Sequence, residues 1–142
     1  MKAQYDAPAI TKTRAEFVVN HPSKGWTDEV EHEAHRTLIN WLGCAIGASH
    51  HESIENALHA FMELEPAPQS TIPGRKEKVD MATAAVLMGS SSHAYDFDDT
   101  HLRTIIHPAG PIASALLPLA QKTKASGRQL IDALVIGIDV FC

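Results

Sequence analysis

The sequence predicts an all-α fold, a bundle of helices, and three observations predict it. Aromatic residues are sparse at 6 % while alanine is abundant, which suits close-packed helices better than sandwiched strands. Apolar residues recur at helical period in several successive segments. Capping residues and Pro or Gly breakers punctuate those segments where helices should start and stop. With 142 residues the chain can bury one core but not two, so a single all-helical domain over residues 1–142 is expected.

The first helix is predicted from Ile10 to Asn20, ended by His21-Pro22 and a Lys24-Gly25 turn. Thr27 then offers an N-cap, with Asp28 and Glu29 well placed against the positive end of a second helix. Val30, Ala34, Leu38, Trp41, Leu42 and Ala45 form its inward stripe. Gly43 and Gly47 lie on the same helix. Each costs up to about 1 kcal/mol against alanine in a helix interior, so a neighbouring helix is expected to pack closely there. Their spacing resembles a membrane-helix contact motif, but the helix is too polar for that reading.

Ser49-His50-His51-Glu52 fits a capping box opening a third helix, with Ile54, Leu58, Phe61 and Met62 inward and Pro66 and Pro68 beyond its end. Gln69 to Lys78 is expected to be a polar loop with a Pro73-Gly74 turn. From Met81 to Gly89 the sequence is apolar on nearly all sides, predicting a buried fourth helix that runs into Ser90-Ser91-Ser92-His93. Pro108 and Pro111 mark the start of a fifth, with its body at Ile112 to Ala120. Ser126 and Gln129 form a second capping box before Leu130 to Phe141, where the β-branched residues suit a strand as well; the cap favours a helix. Six helices with short connections follow, as antiparallel neighbours.

Composition excludes several functions. A net charge of −5 with dispersed Lys and Arg gives no footprint for nucleic acid. The longest apolar stretch, Ala133 to Ile138, is too short to span a bilayer and is flanked by Asp132 and Asp139. Met1 to Pro8 has no apolar stretch of the signal-peptide kind. Cys44 and Cys142 have no metal-ligand spacing and fit a reducing compartment, so a cytoplasmic location is expected.

Chemistry concentrates in His93-Ala94-Tyr95-Asp96-Phe97-Asp98-Asp99-Thr100-His101, followed by Arg103 and His107-Pro108. Carboxylates this close repel one another unless cations offset them, and a histidine beside them can act as acid or base near neutrality. The run follows directly on an apolar helix, so it starts at the core. A solvated acidic helix end remains the plainest alternative. Asp96-x-Asp98-x-Thr100 also fits the DxDxT motif of haloacid-dehalogenase-like hydrolases, but the hydrophobic strand that should precede it is missing. The DxDD donor of class II terpene cyclases needs an aromatic-lined cavity that eight aromatic residues cannot build. His93, Asp96 and His107 could ligate zinc or iron, yet no spacing of the HExxH or paired-cysteine kind supports a metal site, and none is expected.

The run from His93 to His101, then His107-Pro108-Ala109-Gly110-Pro111 and the apolar Ile112 to Ala120, resembles the MmgE/PrpD family, which includes 2-methylcitrate dehydratase, cis-aconitate decarboxylase and iminodisuccinate epimerase. Trp41 to Ala48 and Gly127 to Phe141 are similar to helices before and after its site. The resemblance implies the first part of a helical domain, with a smaller α+β lid absent, a commonly dimeric assembly, and no metal, iron–sulfur cluster or other cofactor. It implies a small di- or tricarboxylate substrate that loses a proton or CO₂ next to a carboxylate, and no nucleic-acid or membrane partner.

Residue by residue, Asp96, Thr100 and His107 fall on positions that line the family's pocket. On this resemblance His107 is expected to take the acid/base role, and Asp96 to orient a histidine or accept a proton. Thr100 hydrogen-bonds a substrate carboxylate, with His101 and Arg103 as weaker candidates for charge pairing, while His93 and Asp99 support from behind. The Thr100-to-His107 loop is about one residue longer than the family pattern. Full-length relatives are roughly three times longer, and their later Lys, His and Tyr pocket residues have no counterpart in these 142 residues, so this chain alone is expected to show little lyase activity. The competing class is non-catalytic: a helical interaction or dimerisation module, or a truncated remnant.

Overall fold

A computed structural model describes residues 10–21 and 25–142. Among the described residues six helices run in the order α1 (Ile10–Asn20), α2 (Asp28–Gly47), α3 (Glu52–Met62), α4 (Met81–His93), α5 (Ala109–Thr123) and α6 (Gly127–Phe141). Two short strands, β1 (Ser70–Thr71) and β2 (Lys78–Val79), lie between α3 and α4. The fold is thus mostly α. The expected turn at Lys24 and the reading of Met1 to Pro8 lie outside the described residues.

Local chemistry accounts for most helix starts. Thr27 caps α2 by accepting from the Val30 amide, and Asp80 caps α4 by accepting from the amides of Ala82 and Thr83. Ser126 caps α6 in the full reciprocal box with Gln129, and the segment is a helix despite its β-branched residues.

The layers are built on α4, which packs most extensively against α5 and α2, while α6 closes on α5. Trp41, Ile54, Leu58, Leu87, Met88, Ala113 and Leu134 form the core with Ile72 and Val79 of the hairpin. Trp41 is 1 % exposed, and its indole Nε1 donates to Ser114 Oγ at 3.0 Å, joining α2 to α5 through the interior.

Four expectations require correction. Residues 69–78 are not a plain loop but a hairpin pairing Ser70 with Val79 and Thr71 with Lys78. The Pro73-Gly74 turn at its tip is present, with the Arg75 amide donating to the Ile72 carbonyl and Gly74 at φ 81°. Thr71 is held by both ends of the Gln121 amide, a contact between distant segments that local sequence does not announce. The Ser49 capping box does not form: its hydroxyl donates back to the Ile46 carbonyl, and His51 is the N-cap of α3.

Gly43 and Gly47 meet no close neighbour within 4 Å of a built Cβ. The tight approaches lie elsewhere: a Cβ on Gly137 would stand 2.7 Å from Ile112 Cγ2, which is where α6 sits against α5. Finally, α4 is not buried all round. Thr83, Ala84, Leu87, Met88, Ser91 and Ser92 face inward, whereas Ala82, Val86, Ser90 and His93 form an exposed stripe.

One polar knot secures the corner between α2, α3 and the hairpin. The buried Arg75 guanidinium donates to both Glu55 oxygens at 2.7 and 3.0 Å and to the Ser49 carbonyl at 2.6 Å. Hydrogen bonds from Arg75 and then His50 hold the Glu55 carboxyl down at about 2, below the ordinary glutamate value of about 4.3. A depressed carboxylate contributes stability that is present above its unfolded pKa and lost as pH falls through its folded one. The Glu55→Gln protein is therefore expected to lose less stability than the unmodified protein between about pH 5 and pH 2. Urea unfolding at both pH values checks this, and equal losses would contradict it.

Candidate active site

The acidic run is positioned by the ends of two helices. His93 is the last residue of α4, and its carbonyl accepts from the Asp96 amide at 3.1 Å. Asp96 itself takes φ 57°, a left-handed conformation that Asp tolerates better than most residues. That turn folds the chain back so that Asp98 enters the interior, with a side chain 1 % exposed. Asp99 reaches the start of α5 and accepts from the Ala109 amide at 3.2 and 3.3 Å, where the helix dipole favours negative charge. Burial raises the Asp99 pKa above the usual carboxylate range; the Ala109 bond opposes this, and the Asp98 charge adds to it.

Asp98 is the hub. His93 Nδ1 donates to it at 3.0 and 3.2 Å, and His107 Nδ1 lies 3.6 Å from its Oδ1. The two imidazole rings lie 4.8 Å apart between centroids and are tilted by 57° to one another. An ionised carboxylate only accepts, so Asp98 favours the tautomer with hydrogen on the Nδ1 of each ring, leaving each Nε2 as an acceptor. The Asp98 hydrogen bond, then its charge, raises the His93 pKa. His107 Nε2 in turn lies 3.9 Å from Asp96 Oδ1. Gly89, His93, Asp98, His107, Gly110 and Pro111 line an open concavity of about 320 Å³. At Gly110 the backbone of α5 passes beside the carboxylate, where a Cβ would stand in ordinary contact with Asp98 Oδ2 at 3.8 Å.

Of the residues expected from sequence, His93, Asp96 and His107 come together, and Thr100 Oγ1 reaches His107 Nδ1 at 3.5 Å. Asp99 sits behind them at the α5 start. Two are not brought in. His101 Nδ1 bonds Thr104 Oγ1 at 2.7 Å, and its backbone bridges to Ile106. Arg103 is exposed and takes part in no ion pair among the described residues. The longer loop closes on itself, with the amides of Thr104 and Ile105 both donating to the His101 carbonyl and Ile105 at φ 54°. Sequence reasoning missed Asp98 as a site residue. Nothing in the residue types separates it from its two neighbours; only the left-handed turn at Asp96 selects it.

Comparison with known proteins decides the lineage: the family model of the MmgE/PrpD N-terminal domain matches residues 12–142. The chain belongs to the MmgE/PrpD family. A cis-aconitate decarboxylase-like protein of Aspergillus oryzae is 28 % identical over 118 residues, covering 78 % of this chain and 24 % of that protein. The chain thus spans about a quarter of the length of that relative. No solved structure matches the chain significantly. No helix among the described residues is long and apolar enough to cross a membrane.

Proposed function

We propose that this MmgE/PrpD domain carries the acid/base half of a lyase site for a small di- or tricarboxylate. The observation that carries the reading is the facing of Asp96 and His107 Nε2 at 3.9 Å, beside a concavity backed by buried Asp98. In a dehydration, a base takes the proton from carbon next to a carboxylate, the C–O bond breaks, and the departing hydroxide gains a proton as water. In a decarboxylation the C–C bond breaks, CO₂ departs, and the carbon left behind takes a proton. Both need one proton exchanged between substrate carbon and protein. His107 supplies that exchange through Nε2, held by Asp98 and Thr100 at its other nitrogen; Asp96 is the second proton carrier at the rim.

Family membership and the decarboxylase-like relative support a lyase over the hydrolase alternative. The lining of the concavity includes no Lys or Arg. Substrate carboxylates need cations, so we assign their anchoring to residues beyond the concavity, and the chain assayed alone should turn over slowly.

A specific observation favours a second reading. Phe97, Leu102 and Ile105 are 76, 86 and 79 % exposed on the loops around the site, as an interaction or dimerisation surface would be. One experiment separates the two. The protein containing this domain is assayed against a panel of small di- and tricarboxylates, with Asp96→Asn beside the unmodified form. The lyase reading expects turnover that falls at least about 100-fold in the variant with an unchanged helical signature. Turnover indifferent to Asp96→Asn would remove Asp96 from the proton transfer, and no turnover on any carboxylate would sink the lyase reading in favour of a binding surface.

A further inference from the structure

We propose that His93, Asp96, Asp98 and His107 also constitute a binding site for a divalent transition-metal ion of the zinc type, and that its occupation blocks the base. One donor atom from each residue lies within 4.8 Å of all the others, and among the described residues this is the one such convergence. Ligands about 2.0–2.1 Å from a tetrahedral zinc stand roughly 3.3–3.4 Å from one another. His93 Nδ1 and Asp98 Oδ1 are 3.0 Å apart, His107 Nδ1 and Asp98 Oδ1 3.6 Å, and His93 Nδ1 and Asp96 Oδ1 4.0 Å, distances that bracket this requirement. Side-chain shifts of under about 1 Å suffice to close the set around an ion.

Three features make this more than an acidic patch. The donors are two imidazoles and two carboxylates, a set that suits zinc, cobalt or iron better than calcium or magnesium, which prefer oxygen alone. Asp98 is buried and anchored, while His93 and His107 are fixed at the end of α4 and just before α5, so the site is largely built before the ion arrives. Two carboxylates balance the ion's charge, and the concavity lining offers no Lys or Arg to repel it. Sequence spacing could not announce the site, because its ligands come from a helix end, a turn and a loop.

The ion here is a competing ligand and not a cofactor. Metal binding stands independently of the lyase reading; only its blocking effect rests on that reading, since an ion on His107 Nδ1 forces the ring hydrogen onto Nε2, which can then no longer take a proton.

The test titrates the protein with Co²⁺, followed by its visible absorption, and with Zn²⁺ against a chromophoric chelator. One equivalent is expected to bind saturably. His93→Ala, at a 56 %-exposed side chain that should not disturb folding, is expected to weaken it more than about 10-fold, the lower end of what even an outer-shell loss costs. Asp98→Asn should weaken it as well, with the helical signature checked by circular dichroism. His35→Ala, outside the cluster, should leave it unchanged. Absence of saturable uptake, or uptake insensitive to His93→Ala, overturns the site. Binding of one equivalent of Zn²⁺ without loss of turnover overturns the blocking claim alone. A protein inactive on every carboxylate overturns the lyase reading, while the Co²⁺ titration still decides the site.

Discussion

The His107→Gln protein is expected to keep its fold and lose between about 100-fold and 10,000-fold of its turnover, the span that positioned general acid/base groups contribute. Glutamine preserves much of the volume and polarity of the histidine, so the partly exposed loop position can accept it. What it cannot do is accept and release a proton near neutrality. The loss should appear in kcat and kcat/KM together, since the interaction removed belongs to the transition state. A variant whose KM alone rises would show that His107 binds substrate without moving its proton. Steady-state kinetics on the best carboxylate of the panel, beside circular dichroism of the same preparation, distinguishes these outcomes.

The largest stability effect is expected at Trp41→Ala, a loss of about 5 kcal/mol. Removing a buried tryptophan typically costs about 3–5 kcal/mol through lost burial and the cavity left behind. The substitution also leaves the buried Ser114 hydroxyl without the indole N–H it accepts from, a further cost of about 1 kcal/mol. For a domain stable by about 5–15 kcal/mol, that is a large fraction of the whole. Trp41→Phe keeps most of the apolar volume and drops only the hydrogen bond and part of the ring, so it should cost about half as much. Urea denaturation of the three proteins measures this. Equal stabilities for the alanine and phenylalanine variants would show that the interior around Trp41 collapses freely, against the packing described.

Features legible in the sequence are those decided within a few residues. Ser126 and Gln129 close a box across one helical turn, and Thr27 sits directly before the residue that begins α2. The Pro73-Gly74 turn required only a positive φ at Gly74. Illegible features are those decided by partners far along the chain. The Ser49 hydroxyl had two acceptable fates, and the end of α2 claimed it. The strands of the hairpin depend on Gln121, fifty residues away. Gly43 and Gly137 look alike as glycines in helices, yet only the second has Ile112 pressed against it.

The candidate site divides in the same way. Its residue types and its location at the end of an apolar helix were readable, and so was the lineage, because an ordered string from His93 to Ala120 carries it. The hierarchy among the three aspartates was not. Asp96, the expected partner of His107, lies at the exposed rim, whereas Asp98 is the carboxylate that both imidazoles approach. That inversion follows from a single left-handed residue, a conformational choice that residue identity permits without requiring.

Proton exchange at the substrate carbon is the step on which the account depends, and heavy water makes it visible directly. The protein containing this domain is incubated with its carboxylate substrate in D₂O, and deuterium at the carbon next to the carboxylate is followed by NMR in substrate and product. The account predicts solvent deuterium at that carbon with the unmodified protein, in the product of a decarboxylation or in substrate re-formed by the reverse of a dehydration, and none above background with His107→Gln. Deuterium arriving at the same rate in the variant would contradict it.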